Sequence, residues 1–257
     1  MLVAIPLGLA LGLIVGCVGG GGGILALPIL VYLLGEAPGP ASTASLVVVA
    51  MAAGIGAGAL AFRGHVCWRL ALTFSAPAAA GSLIGALLNT AVSGRALILA
   101  FVPVMLVAAL ATWLRAAASG DDSDPGCPEP AAGPIIAAGF AIGALTGFFG
   151  VGGGFMIVPV LTIAFGLGFH RAVATSLVII TLTGLAALAS HLAAGATVDA
   201  GLTASLALPT AVGAVAGTMI GRRLPQAALG QAFALVLTGV AVFLTINVAA
   251  FGGPPGG

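Results

Sequence analysis

Two stretches, GCVGGGGGILALPIL at residues 16 to 30 and GFFGVGGGFMIVPVL at 147 to 161, hold the groups best suited to chemistry, and those groups are backbone. The consecutive glycines at 19 to 23, and Gly152, Gly153 and Gly154 after Gly150, would each weaken a helix by roughly 1 kcal/mol relative to alanine. They therefore read as helix breaks. A break exposes N–H groups at a new helix N-terminus, and with the helix dipole those groups can hold a small anion without a buried cation. Glycine also lets a ligand approach the backbone closely. Hydroxyls follow each run, Thr43 and Ser45 after the first and Thr175 and Ser176 after the second. The expected ligand-binding set is Gly21, Gly22, Gly23, Thr43, Ser45, Gly152, Gly153, Gly154, Thr175 and Ser176, with Pro28 and Pro159 as hinges in the short pieces beyond the breaks.

The other reactive side chains form no recognisable constellation. An enzyme site would need a nucleophile beside a base, or a His/Asp/Glu metal cluster. His65 and His170 each sit next to or near arginines at expected membrane boundaries, where solvation accounts for them, and His191 lies near the end of a long apolar segment. Asp199 is eight residues further on and in an expected loop. No catalytic residue, metal or cofactor is expected. Cys17, Cys67 and Cys127 lack CxxC spacing, so neither a disulfide framework nor a zinc site is expected.

The surroundings of the glycine runs identify the class of protein. Of 257 residues, 61% are hydrophobic and 5% charged, and the mean hydropathy is +1.28. That composition belongs in a bilayer. A spanning helix takes about 20 apolar residues, which leaves room for about eight to ten such segments. The apolar runs lack a barrel's alternation, so the fold is all-α and polytopic. A formal charge of +1 excludes a basic nucleic-acid surface. The opening MLVAIPLGLALGLIVG has no basic n-region and no convincing cleavage site, and reads as mature structure.

The chain is a duplicated unit. At an offset of 131, Gly8, Gly12, Gly16 and Gly19 fall on Gly139, Gly143, Gly147 and Gly150, and Ser45-Leu46-Val47 on Ser176-Leu177-Val178; at 132, Pro77 meets Pro209 and Phe101 meets Phe233. The boundaries are 1–118 for the first repeat, 119–133 for an acidic, proline-rich linker, and 134–257 for the second repeat. Each repeat reads as a glycine-broken helical hairpin followed by three transmembrane helices. The expected helices are 3–18, 24–35, 41–62, 70–90 and 96–114, then 134–149, 155–167, 172–192, 201–221 and 227–249. Glycines spaced by four, as in Gly8-Gly12-Gly16 and Gly213-Gly217-Gly221, are expected to pack helices closely.

Arginine sets the topology, because the chain has no lysine. If each hairpin returns to the side it entered from, Arg63, Arg69, Arg115, Arg171, Arg222 and Arg223 share one side and Arg95 takes the other. That bias puts the linker in the cytoplasm and both termini outside. Three spans per repeat then make the second copy enter from the opposite side, so the repeats have inverted topology, a plan recurrent in secondary transporters.

With Gly150, Gly152 to Gly154, Val158-Pro159, Leu161 and Ala172 to Leu177, the second half carries GxGGGxxxVPxL followed by AxATSL. This pattern resembles the sulfite exporter TauE/SafE family of membrane proteins, and the resemblance extends over essentially the whole chain. It implies a multi-pass plasma-membrane transporter of small sulfur-containing anions such as sulfite or organosulfonates. The expected function is a secondary anion transporter in which the two halves rock about the paired breaks. The alternatives are a passive anion channel or a transporter of an unrelated small solute. The expected partners are a small anionic substrate and the lipid bilayer, with no nucleic acid; the sequence leaves a homo-oligomer open.

Overall fold

The computed structural model describes residues 4–20, 22–33, 38–61, 64–89, 94–118, 126–149, 154–193, 195 and 199–251. The first half contains α1 (Ala4–Val18), α2 (Gly22–Pro28) continuing as a π-helical turn (Ile29–Leu33), α3 (Pro38–Ala61), α4 (Trp68–Asn89) and α5 (Gly94–Ala118). The second contains α6 (Ala132–Phe149), α7 (Gly154–Ile163), α8 (Phe169–Ala193), α9 (Ala200–Gly221) and α10 (Gln226–Phe251). Among the described residues, seven helices are long and apolar enough to cross a membrane. The protein is an all-α, multi-pass membrane protein.

The glycines spaced by four seat helices from different halves against each other. A Cβ on Gly12 would strike the carbonyl of Thr210, and one on Gly217 the carbonyl of Leu13, so α1 and α9 lie backbone to backbone. The register advances in the same direction on both, and the two helices run parallel. In the second pair, a Cβ on Gly143 would strike Ala78 and one on Gly147 would strike Ser82, so α6 lies on α4, also parallel. Each hairpin's first helix is thus held by the other half. Packing of this closeness is what drives helices together where lipid leaves no hydrophobic gain.

Contacts at the helix ends place both hairpins. One end of the bundle gathers Leu60 at the end of α3, His170 at the start of α8, Arg222 just past α9 and Leu229 near the start of α10 around one cavity. Ala116, next to Arg115, lies against Gly230 and Phe169 at that end. The linker joins it there: Cys127 forms a disulfide with Cys67, with Cα atoms 5.6 Å apart, and Arg69 pairs with Glu129 at 3.6 Å on the surface. Arg69, Arg115, Arg171, Arg222 and Arg223 therefore belong to one end. Arg63 lies outside the described residues, as does the side chain of Arg95. At the opposite end, Thr43 near the start of α3 meets His191 near the end of α8.

From these contacts, α1 starts at the arginine-poor end and α2 leads back to it, while α6 starts at the arginine-rich end and α7 leads back there. Each hairpin leaves and returns on one side. The corresponding long helices α3 and α8 run antiparallel, as do α5 and α10.

Two sequence expectations need correction. Cys67 and Cys127 are joined, although their 60-residue separation gives no local signal; only the return of the linker to the α4 start brings them together. The short helix of the second half ends at Ile163 rather than near 167, because Gly166 adopts φ +69 and Leu167 turns its N–H back to the carbonyl of Leu161 at 3.1 Å.

Candidate functional site

The two glycine breaks meet each other inside the bundle. A Cβ placed on Gly20 would fall on the carbonyl oxygen of Gly154, and one on Gly154 would lie 2.8 Å from both the carbonyl oxygen of Gly20 and the Cδ1 of Ile180. Ile180 is the twelfth of the 25 residues of α8, so the crossing lies about halfway through the bundle. Only residues without side chains permit the two backbones to approach this closely.

The first break begins where Gly19 turns the chain out of α1. Its φ is +75, which favours glycine, and its N–H closes the helix by bonding the carbonyl of Val15 at 2.8 Å. The Gly19 carbonyl accepts a hydrogen bond from Ser176 Oγ at 2.8 Å, and the same hydroxyl lies 2.9 Å from the Val173 carbonyl. Ser176 is fully buried. It follows the second glycine run in sequence yet supports the first, and in this conformation its proton is directed to carbonyls rather than to a ligand.

Thr175, also fully buried, accepts the Cys67 N–H at 3.1 Å. That contact links a candidate ligand-binding residue to the disulfide at the arginine-rich end. Thr43 is buried, and its Oγ1 lies 3.0 Å from His191 Nδ1. Ser45 bonds the Ser42 carbonyl at 2.7 Å within α3. Gly22 opens α2 and Gly154 opens α7, so both short helices begin where the glycines end. Gly23 is buried inside α2. Gly21, Gly152 and Gly153 lie outside the described residues.

The hinge prolines do different things. Pro28 is the last α-helical residue before the π-helical turn, in keeping with a residue that has no N–H to donate back along the helix. Pro159 is buried inside α7, where Thr162 Oγ1 lies 3.0 Å from the carbonyls of Val158 and Pro159.

Aromatic packing secures the second break. Phe149 closes α6 and Phe155 is the second residue of α7; their rings stand 4.9 Å and 5.2 Å from that of Phe101 on α5. One residue thus clamps both sides of the glycine run, a role sequence reading missed. The alignment of Phe101 with Phe233 was the available signal.

Asp199 also acquires a definite role, since its Oδ1 accepts the N–H groups of Gly201 at 2.8 Å and Leu202 at 3.0 Å as the N-cap of α9. Trp68 and Trp113 are exposed near the arginine-rich end, as expected of interface residues. Among the described residues no group of His, Cys, Asp and Glu could hold a metal ion.

A family model described as Sulfite exporter TauE/SafE matches residues 4–244. A probable membrane transporter protein of Xylella fastidiosa is 30% identical over 253 residues, covering 95% of this chain and 94% of the relative. The probable membrane transporter protein YunE of Bacillus subtilis is 28% identical over 214 residues, covering 75% and 78%. No solved structure matches the chain.

Proposed function

Because the chain belongs to the sulfite exporter TauE/SafE family, we propose that it is a secondary transporter moving small anions, sulfite or organosulfonates, by alternating access around the two glycine breaks. It is a membrane transporter and not an enzyme. The observation that carries the finer reading is the meeting of Gly20 and Gly154 against the middle of α8. Two new helix starts near the bundle's centre put backbone N–H groups where an anion crossing the membrane has lost its water, and fixed dipoles can replace that hydration.

Gly21 to Gly23 and Gly152 to Gly154 are the proposed backbone ligands. Thr43, Ser45, Thr175 and Ser176 are the proposed hydroxyls, which must exchange their present partners for the anion. The antiparallel α3–α8 and α5–α10 pairs and the opposed hairpins support an inverted repeat. The moving bodies in this reading are not the sequence halves, because close backbone packing ties α1 to α9 and α4 to α6 across them. Movement is assigned instead between the α1–α9 and α4–α6 pairs.

The charge bias supports a cytoplasmic position for the arginine-rich end. Cys67 and Cys127 then lie on the side where thiols are kept reduced, so the bond between them is expected to close only under oxidising conditions. A reporter fused within the linker should read as cytoplasmic; an external signal would reverse the assignment. The direct test of function is sulfite flux into proteoliposomes of purified protein, with sulfate and a small sulfonate as competitors. Saturable, competed flux is expected. Its absence from folded, inserted protein would overturn the anion reading while leaving the architecture intact.

A further inference from the structure

On the arginine-rich side of the first break, a cavity is lined by Cys17, His65, His170, Val173, Thr218 and Arg222 among others, and none of the described lining residues is acidic. Two nitrogens there are buried without a hydrogen-bond partner: Nδ1 of His65 and Nε2 of His170. A buried polar atom left unpaired is costly, and such atoms are normally satisfied by water or a ligand. These imidazoles come from different elements, His65 from the α3–α4 connection and His170 from the first turn of α8. They share the cavity with Arg222, the residue just past the end of α9. Three nitrogen-bearing residues from three places in the fold therefore line one cavity, and none of its described lining residues is acidic.

The cavity also adjoins the proposed pathway. Cys17 is two residues before Gly19, and a Cβ on Gly19 would lie 2.8 Å from the Cα of Val173, which lines the cavity. Cys17 itself is occupied, its thiol donating to the Gly217 carbonyl at 3.1 Å.

We propose that His65, His170 and Arg222 form a small-oxyanion site at the arginine-rich mouth of the pathway, the station an anion occupies before or after the glycine breaks. Imidazole N–H groups and a guanidinium are all donors to anionic oxygens, and charge-assisted bonds of this kind are short and strong. In the present conformation the void has room for the centre of one water, about 10 Å³. The site as proposed is closed in this conformation, with space for a water rather than an anion. When the end of α9 parts from the start of α8, the oxygens of the anion take that space.

The role in transport rests on the function proposed above; the binding does not, and the two are tested separately. Calorimetric titration of sulfite, sulfate and phosphate into the full-length protein in nanodiscs reads the binding. Wild type should bind at least one of them, and Arg222→Met, His65→Leu and His170→Leu should each weaken that binding about tenfold, the worth of one charge-assisted hydrogen bond. Arg222 is exposed, so its replacement should leave folding intact, and Arg222→Lys should recover most of the affinity. A merely structural arginine would show no such rescue.

Wild-type affinity in all three variants would overturn the site even if sulfite flux is present, as would failure of wild type to bind any of the three anions. Binding that is weakened in the variants, from a protein that moves no sulfite in proteoliposomes, would keep the site and reject the transport role.

Discussion

The two glycine breaks occupy aligned positions in the two halves of the sequence, yet they are built differently. At the second, Phe149, Phe155 and Phe101 form an aromatic clamp around the run, and the short helix beyond it is a regular α-helix of 10 residues. At the first, the positions corresponding to the clamp are Val18, Ile24 and Phe233, all buried, and α2 lasts 7 residues before its π-helical turn. The first break relies on a polar support instead, the Ser176 hydroxyl on the Gly19 carbonyl. At aligned positions, different side chains make one break apolar and clamped, the other hydrogen-bonded and next to a cavity lined by His65, His170 and Arg222.

That difference also separates the two ends of the proposed pathway. The arginine-rich end presents His65, His170 and Arg222 beside the first break. The other end presents the Thr43–His191 pair. A carrier with unlike mouths can receive an anion with different affinity from each side, which a symmetric duplicate could not.

The sharpest way to break the comparison is to give each crossing glycine a side chain. Gly20→Leu should abolish sulfite flux in proteoliposomes, by on the order of 100-fold or more, because its side chain would run into the Gly154 backbone, which cannot turn aside. Gly154→Leu should be less severe, since part of what it meets is the movable Cδ1 of Ile180. Flux equal to wild type in both variants would remove the breaks from the mechanism.

Next in size, Phe101→Ala should destabilise the protein by about 3–5 kcal/mol, the usual cost of removing a buried phenylalanine. Phe233→Ala should cost less by about 1 kcal/mol, the increment for lost aromatic pairing. Denaturation of the purified variants would measure this, and identical losses would mean that the clamp adds nothing beyond volume.

The smallest contrast lies between aligned serines. Ser176→Ala should cost about 1 kcal/mol, because it leaves the Gly19 carbonyl without its hydroxyl donor. Ser45→Ala should change stability by only a few tenths of a kcal/mol, its bond being to the Ser42 carbonyl within the same helix. If Ser45→Ala proved the more costly, the assignment of a polar support to the first break would be wrong.

Much of this was legible in the residues themselves. Apolar run length and the scarcity of charge determined the helices and the membrane; the 131-residue offset aligned the two glycine runs; and consecutive glycines, poor in any helix, marked both breaks. The placing of the arginines favoured hairpins that return to their own side. These are local or periodic properties, and the sequence carries them in full.

What only the tertiary structure decided are contacts between segments far apart in the chain, for which no local pattern exists. Gly20 and Gly154 meet because α1 and α6 are each held by a helix of the other half. Ser176 serves a glycine 157 residues away. Cys67 and Cys127 join because the linker returns to the start of α4. The cavity between His65, His170 and Arg222 exists for the same reason: residues near-neutral in their own sequence neighbourhoods acquire chemistry when helix ends from three parts of the chain close around one space.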